Sequence, residues 1–147
     1  MDLFKKMDTD IFSVHRFDVD GQISYTSSVV MINKKDFYRK ALEAIGCKQL
    51  EGFPFKYKGA SYAVWFDKDI DSQPELPLPS LIVGEPGTDE KCILIFGHYI
   101  ITRINEYYEI IGLTDTEAAT LHDFAMERSR MAAIGQGLGL FPRLKSA

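Results

Sequence analysis

The chain has 147 residues, of which 46% are apolar, 26% charged and 12% aromatic, and its formal net charge at pH 7 is −4. This composition is typical of one folded domain whose core forms without disulfides or a structural metal, and it excludes a disordered chain. The net negative charge argues against general nucleic-acid binding, which depends on many Lys and Arg contacts to phosphates.

No segment is typical of export or of membrane insertion. The first residues, Met1 to Lys6, are not followed by the apolar stretch of a signal peptide, and the apolar run Cys92 to Phe96 is far too short for a membrane span. The two cysteines, Cys47 and Cys92, have no close partner in sequence, so we expect reduced core thiols. These features predict a cytoplasmic protein.

The first elements are predicted to be a β-hairpin and a helix. Ile11 to Phe17 and Ile23 to Ile32 are separated by an Asp-Gly pair, which favours a turn. A helix from Lys34 to Ile45 follows, with Asn33 as its N-cap and Gly46 at its end.

Alternating apolar residues from Lys48 to Asp67 predict a second hairpin, with a turn at residues 58–61. Six of the 18 aromatic residues (ten Phe, seven Tyr and one Trp) lie here: Phe53, Phe55, Tyr57, Tyr62, Trp65 and Phe66. Alternation places Trp65 on the face opposite Tyr62 and Phe66. Two interpretations fit: both faces pack, one of them in an oligomer, or one face stacks on a nucleotide base.

Residues 67–90 contain four prolines and are predicted to be mostly loop, with a short edge strand at Ser80 to Val83. Carboxylates alternate at Asp67, Asp69 and Asp71, as in part of a calcium-binding loop. The glycine and the bidentate glutamate of such a loop are missing, so we expect a solvated acidic loop and no metal site.

The last elements are predicted to be a strand from Cys92 to Ile104, covered on both faces, and a helix. Residues 107–111 are expected to pair beside the strand. Thr114 and Glu117 fit a capping box, which predicts a helix from Asp115 to about residue 133. Its buried face is predicted to consist of Ala118, Leu121, Phe124 and Ala125.

Together these elements predict one α+β domain over residues 1–134 and a glycine-rich tail over residues 135–147. The domain is expected to be an antiparallel or mixed sheet with two main helices packed on one face.

No complete catalytic signature is present, and we expect no catalytic residue, metal or cofactor. The chain lacks a Walker loop, a Gly-x-Ser-x-Gly elbow and a paired Cys/His nucleophile. His15, His98 and His122 are isolated and none has metal-ligand spacing. Because His98 interrupts a predicted buried strand, its ring needs a polar partner, and both a structural and a functional role stay open.

Charge is segregated along the chain. Residues 33–58 hold seven Lys or Arg and three Asp or Glu, a net charge of +4, whereas residues 66–90 hold one Lys and seven Asp or Glu, a net charge of −6. Complementary stretches of this kind steer charged partners and favour pairing between copies of a chain. Ordinary solvated surfaces give the same pattern, so both a homo-oligomer and a monomer fit.

Three segments carry a family resemblance: Glu75-Leu76-Pro77-Leu78-Pro79, Ile93-Leu94-Ile95-Phe96-Gly97 and Gly112-Leu113-Thr114-Asp115-Thr116-Glu117-Ala118. In this order they resemble the second half of small proteins of phages, plasmids and conjugative elements. The resemblance implies an accessory protein of a mobile element that binds a host factor or a signalling molecule stoichiometrically.

Three hypotheses for function follow, of which the third is a purely structural or assembly subunit with neither ligand nor host target. The first is a non-catalytic binding protein, for example an inhibitor of a host defence or regulatory protein, that uses Trp65, the aromatic hairpin and the acidic loop around Asp67, Asp69 and Asp71. The second is a nucleotide-sequestering oligomer or a small hydrolase. In that case Lys56, Lys58 and Arg39 contact phosphate, and Tyr57 or Trp65 stacks on a base.

Overall fold

The computed structural model describes residues 11–19, 25–70, 79–84 and 92–137. The strands in this part of the chain are β1 (Ile11–Val19), β2 (Tyr25–Asn33), β3 (Leu50–Tyr57), β4 (Ala60–Asp67), β5 (Pro79–Val83), β6 (Ile93–Phe96), β7 (Tyr99–Ile104) and β8 (Ile110–Ile111). The helices are a 3-10 turn (Lys34–Asp36), α1 (Phe37–Ile45) and α2 (Asp115–Gly137). Neither α-helix is long and apolar enough to cross a membrane.

The main sheet is antiparallel, in the order β2-β1-β7-β4-β3, and the short β8 also pairs with β7. In the middle of the sheet, Ile101 of β7 lies between His15 of β1 and Val64 of β4. A separate antiparallel pair, β5 and β6, extends the core along α2. The predicted edge strand at residues 80–83 is part of β5 and is confirmed.

Both predicted hairpins are confirmed. In the second, β3 and β4 are joined by the two residues Lys58 and Gly59, with φ angles of 49° and 81°. Positive φ at both positions is typical of the tight turn whose twist matches that of a hairpin. In the first hairpin, the predicted Asp-Gly turn lies outside the described residues.

The predicted single strand over residues 92–104 is wrong. Gly97, with a φ of 76°, separates β6 from β7, and the two strands belong to different sheets. Such a φ is accessible to glycine without steric cost, which lets the chain leave one sheet and enter the next. The hydroxyl of Ser80 fixes this corner by donating to the carbonyl oxygens of Ile95 (3.1 Å) and Gly97 (2.8 Å).

The predicted helix signals are confirmed in atomic detail. The Asn33 side chain accepts a hydrogen bond from the backbone N of Lys35 at 2.9 Å, and Gly46, with a φ of 76°, ends α1. Thr114 Oγ1 accepts from the backbone N of Glu117 (3.1 Å), and Glu117 Oε1 accepts from that of Thr114 (2.9 Å). The predicted buried face of α2 is also confirmed. The helix continues past residue 133 to residue 137, and residues 138–147 lie outside the described part of the chain.

The α+β class, the antiparallel sheet and the two main helices are confirmed, but the helices do not share one face of the sheet. α1 packs in a cluster with Val14 and Ile100, whereas α2 packs in another with Phe17 and Ile101. Neighbouring residues of a strand point to opposite faces. Since β7 is apolar on both faces, each face needs its own cover, and each helix supplies one.

Candidate functional site

Trp65 is half-buried and anchors the sheet to α1. Its Nε1 donates a hydrogen bond to Thr102 Oγ1 at 2.9 Å, and its ring meets that of Phe37 edge-on, with the centroids 5.4 Å apart. The indole also lies so close to Gly52 that a Cβ atom there would come within 2.7 Å of the ring. These contacts give Trp65 a packing role between β3, β7 and α1.

The other aromatic residues of the second hairpin belong to the core cluster under α2: Phe53, Phe55, Tyr57, Tyr62 and Phe66. Tyr57 packs against Phe124 of α2, with the ring centroids 4.6 Å apart. One face of the hairpin therefore packs beneath α2, while Trp65 on the other face packs beneath α1.

Arg39 is not brought to the predicted phosphate site. Its guanidinium pairs along its own helix turn with Asp36 (3.4 Å) and Glu43 (3.3 Å). Lys56 lines two cavities, which are described below, and Arg39 lines neither of them. The structure therefore separates Arg39 from the lysines of the second hairpin.

The acidic loop is only partly described. Asp67 is buried, and its Oδ1 accepts a hydrogen bond from the backbone N of Asp69 at 2.8 Å, which closes the turn after β4. Asp71 lies outside the described residues. Within the described ranges, no group of three His, Cys, Asp or Glu side chains is placed to hold a metal ion.

A groove crosses the face of β3, β4 and β7 on the side of Trp65. It consists of two adjoining cavities of about 420 and 200 Å³ that share Pro54, Ile104 and Tyr108. The remaining lining residues are Gly52, Phe55, Lys56, Ser61, Ala63, Trp65, Asn105 and Glu106. The groove is apolar in its middle and polar at the end formed by Lys56, Ser61 and Asn105.

Two adjacent exposed tyrosines lie in the turn between β7 and β8, and Tyr108 lines this groove. Tyr107 and Tyr108 are 74% and 72% exposed, and the backbone of Tyr108 has a φ of 63°. The Asn105 side chain fixes the turn, because its Oδ1 accepts from the backbone N of Tyr107 (2.9 Å) and of Glu109 (3.0 Å). The sequence prediction that residues 107–111 are all strand is therefore wrong for these tyrosines.

Another cavity, of about 220 Å³, lies at the end of the second hairpin. It brings together three predicted site residues: Lys56, Tyr57 and Lys58. Gly84 and Arg128 complete it, with Phe55 and Phe124. Sequence analysis missed Arg128, although its position four residues after Phe124 places it on the predicted buried face of α2.

Each of the three histidines lies beside another side chain. His98 lies between β6 and β7 with its side chain 41% exposed, and its Nδ1 lies 3.7 Å from Asp18 Oδ1. His122 Nδ1 and Ser27 Oγ are hydrogen-bonded at 2.9 Å. The His15 ring is buried, stacked on Phe17 with the centroids 4.2 Å apart.

Within the part of the chain that the structure describes, three groups have clearly shifted pKa values. Burial, with the nearby His122, lowers the pKa of His15 to about 4. Burial, with Asp67, raises the pKa of the Cys47 thiol, and burial raises that of the Tyr62 phenol. A thiol with a raised pKa is a poor nucleophile, so Cys47 has the character of a core thiol.

No family model matches the chain, and neither the curated proteins nor the solved structures contain a significant match. The Tyr107–Tyr108 turn with its groove and the basic cavity at Lys58 are therefore the features on which a function can rest.

Proposed function

We propose that this chain is a non-catalytic binding protein that recognises a partner protein through Tyr107, Tyr108 and the adjoining groove. One observation carries the proposal: Tyr108 has a φ of 63° while its ring is 72% exposed. A left-handed backbone costs a bulky residue about 1–2 kcal/mol, and strain of this kind is concentrated at functional sites. Exposed tyrosines beside a pocket are typical of the residues that dominate binding energy in protein interfaces.

The groove indicates the chemistry of the partner. Pro54, Ala63 and Ile104 offer an apolar floor for an aliphatic or aromatic side chain. Among the described residues, the cavity at the polar end is lined by one cation, Lys56, and one carboxylate, Glu106, so it offers groups of both charges. The partner that fits presents an apolar side chain to the floor and polar groups to this end, including a carboxylate that pairs with Lys56.

The partner is expected to contact the face of the sheet and not its edge. β3 is an edge strand of the main sheet, and in a hairpin closed by a two-residue turn its residues 52, 54 and 56 direct their backbone groups outwards. Pro54 has no N–H to donate, and Lys56 adds a charge; both features discourage the addition of a foreign strand.

The identity of the partner follows from the resemblance to accessory proteins of mobile elements. On that basis the partner is a host defence or regulatory protein, held in a stoichiometric complex in the cytoplasm. The half-buried cysteines Cys47 and Cys92 lie in different clusters and form no disulfide, which is compatible with a reducing compartment.

Site-specific cross-linking tests the proposal. The photoreactive residue p-benzoylphenylalanine is placed at position 108 or, as the control, at Tyr38, which is 52% exposed on α1. We expect one predominant adduct from position 108 in the organism that encodes the chain, and none from position 38. The protein in that adduct is then purified and its dissociation constant is measured.

The affinity measurement decides between specific recognition and chance proximity. We expect Tyr108→Ala and the groove-filling Ser61→Trp to weaken binding at least about tenfold, the effect of losing one interface hot spot, with Tyr38→Ala unchanged. Thermal unfolding confirms that each variant is folded. No adduct, equal adducts from both positions, or an affinity insensitive to Tyr108→Ala would overturn the proposal.

A further inference from the structure

The basic cavity at the tip of the second hairpin is distinct from the partner groove in its chemistry. Among the described residues, the charged ones that line it are Lys56, Lys58 and Arg128, all of them cations, and its volume is about 220 Å³. We propose that this cavity binds the phosphoryl group of a small phosphate monoester. This inference adds a small-molecule ligand to a protein proposed above to bind another protein.

Arg128 gives the cavity a fixed positive wall. It is 6% exposed, its Nη1 donates a hydrogen bond to the carbonyl oxygen of Gly84, and its guanidinium carbon lies 5.1 Å from the ring centroid of Phe124. A guanidinium stays charged when it is buried and its planar shape matches phosphate oxygens. The bond to Gly84 and the ring of Phe124 orient it before any ligand arrives.

Lys58 stands at the mouth of the cavity on a tightly constrained turn. Its backbone φ is 49°, and its Nζ lies 5.6 Å from the ring centroid of Tyr57. The two-residue turn fixes the backbone position from which the Lys58 side chain reaches the cavity. Charge-assisted hydrogen bonds from its ammonium group are stronger than those between neutral groups.

The packing of the rings selects a phosphoryl group and not a nucleotide base. Phe124 stacks on Phe55 with the centroids 5.3 Å apart, and Arg128 lies over the Phe124 ring as well. The Tyr57 ring packs against Phe124, and the Lys58 ammonium group lies over the Tyr57 ring. A base would have to displace these contacts, whereas a phosphate needs only the cations.

Isothermal titration of the full chain tests the site with four probes at constant ionic strength: inorganic phosphate, ribose 5-phosphate, adenosine 5′-monophosphate and ribose. We expect saturable binding of both monoesters with similar affinity, weaker binding of inorganic phosphate, and no binding of ribose. Lys58→Glu should weaken monoester binding at least about tenfold, which is the loss of one charge-assisted hydrogen bond. Lys35→Glu, an exposed charge reversal before α1, is the matched control and should leave binding unchanged.

Three results would overturn the inference. The first is no saturable binding of ribose 5-phosphate up to about 10 mM, which is well above a millimolar dissociation constant. The others are monoester binding by Lys58→Glu as tight as by the native protein, and binding of adenosine 5′-monophosphate without binding of ribose 5-phosphate. Lys58 is exposed, so its variant is expected to fold. A second variant, Arg128→Lys, should also weaken monoester binding, because an ammonium group does not match phosphate oxygens as a guanidinium does, and unchanged binding would contradict the role given to Arg128. Tyr108→Ala should keep phosphate binding. Failure of the partner proposal and failure of this one are thus separable.

Discussion

The indole of Trp65 donates a hydrogen bond to the hydroxyl of Thr102, at 2.9 Å between Nε1 and Oγ1. Thr102 is completely buried in β7, and Trp65 lies on the neighbouring β4. Two adjacent strands are therefore joined by a side-chain bond on the face that α1 covers.

A double-mutant cycle measures the strength of this bond. Thr102→Val keeps the shape of the side chain but removes the acceptor, and Trp65→Phe removes the donor. We expect Thr102→Val to lower the free energy of unfolding by about 1 kcal/mol in the native background, because the half-buried N–H loses its partner. The same change should cost almost nothing in the Trp65→Phe background. Urea unfolding of the four proteins gives the coupling energy, and additive effects would contradict the bond.

Gly52 is the second contact of Trp65 that can be tested. A Cβ atom at this position would lie 2.7 Å from Cζ3 of the indole, so Gly52→Ala forces the ring or the strand to move. We expect a loss of about 1–3 kcal/mol in the free energy of unfolding, as for other overpacked sites. The emission of Trp65, the one tryptophan of the chain, should also change.

The control for Gly52→Ala is the same substitution in a Trp65→Leu background. A smaller branched side chain leaves room for the new methyl group, so the loss caused by Gly52→Ala should there be much smaller. An equal loss in both backgrounds would locate the strain in the backbone of β3 and not at the indole.

The features that could be predicted from sequence depend on near neighbours in the chain. Asn33 caps a helix through the backbone two residues later, and Thr114 bonds with Glu117 three residues away. Such interactions are set by local geometry, so the residue types at fixed spacing are sufficient to identify them. The period-two pattern of the second hairpin predicted the opposite faces of Trp65 and Tyr62 for the same reason.

The rest required the tertiary structure. The sequence around Gly97 does not predict that β6 and β7 belong to different sheets, because a glycine in an apolar run is compatible with a continuous strand. Lys56 and Lys58 are two residues apart and were predicted to act together, but Gly84 and Arg128 reach them only through the packing of β5 and α2. The positive φ of Tyr108 could not be predicted from the sequence, since bulky residues rarely adopt a left-handed backbone.

Acid should destabilise the protein through His15. This ring is 3% exposed, and burial with the nearby His122 lowers its pKa to about 4, from an ordinary value of 6.5. Above pH 6.5 the ring is neutral in both states and the full stability is present. As the pH falls from 6.5 to 4, the unfolded chain takes up a proton that the folded protein does not, so stability falls by roughly 3 kcal/mol.

Urea unfolding at a series of pH values checks this expectation. His15→Leu should flatten the dependence between pH 6.5 and 5, where few carboxylates titrate. His98→Asn should preserve it, because the side chain of His98 is 41% exposed and the buried His15 ring is unchanged in this variant. The same slope in native protein and in His15→Leu would assign the acid sensitivity to other groups.

The strain at Tyr108 leads to a prediction that links stability with binding. Asparagine tolerates a left-handed backbone better than tyrosine or alanine does, so Tyr108→Asn should relieve the strain at a φ of 63°. We expect its free energy of unfolding to exceed that of Tyr108→Ala by about 1 kcal/mol, although both variants lack the exposed ring. Both should lose partner binding equally, because the ring makes the contact. If Tyr108→Ala were as stable as Tyr108→Asn, the turn would hold no strain, and the reason for treating Tyr108 as a recognition residue would be lost.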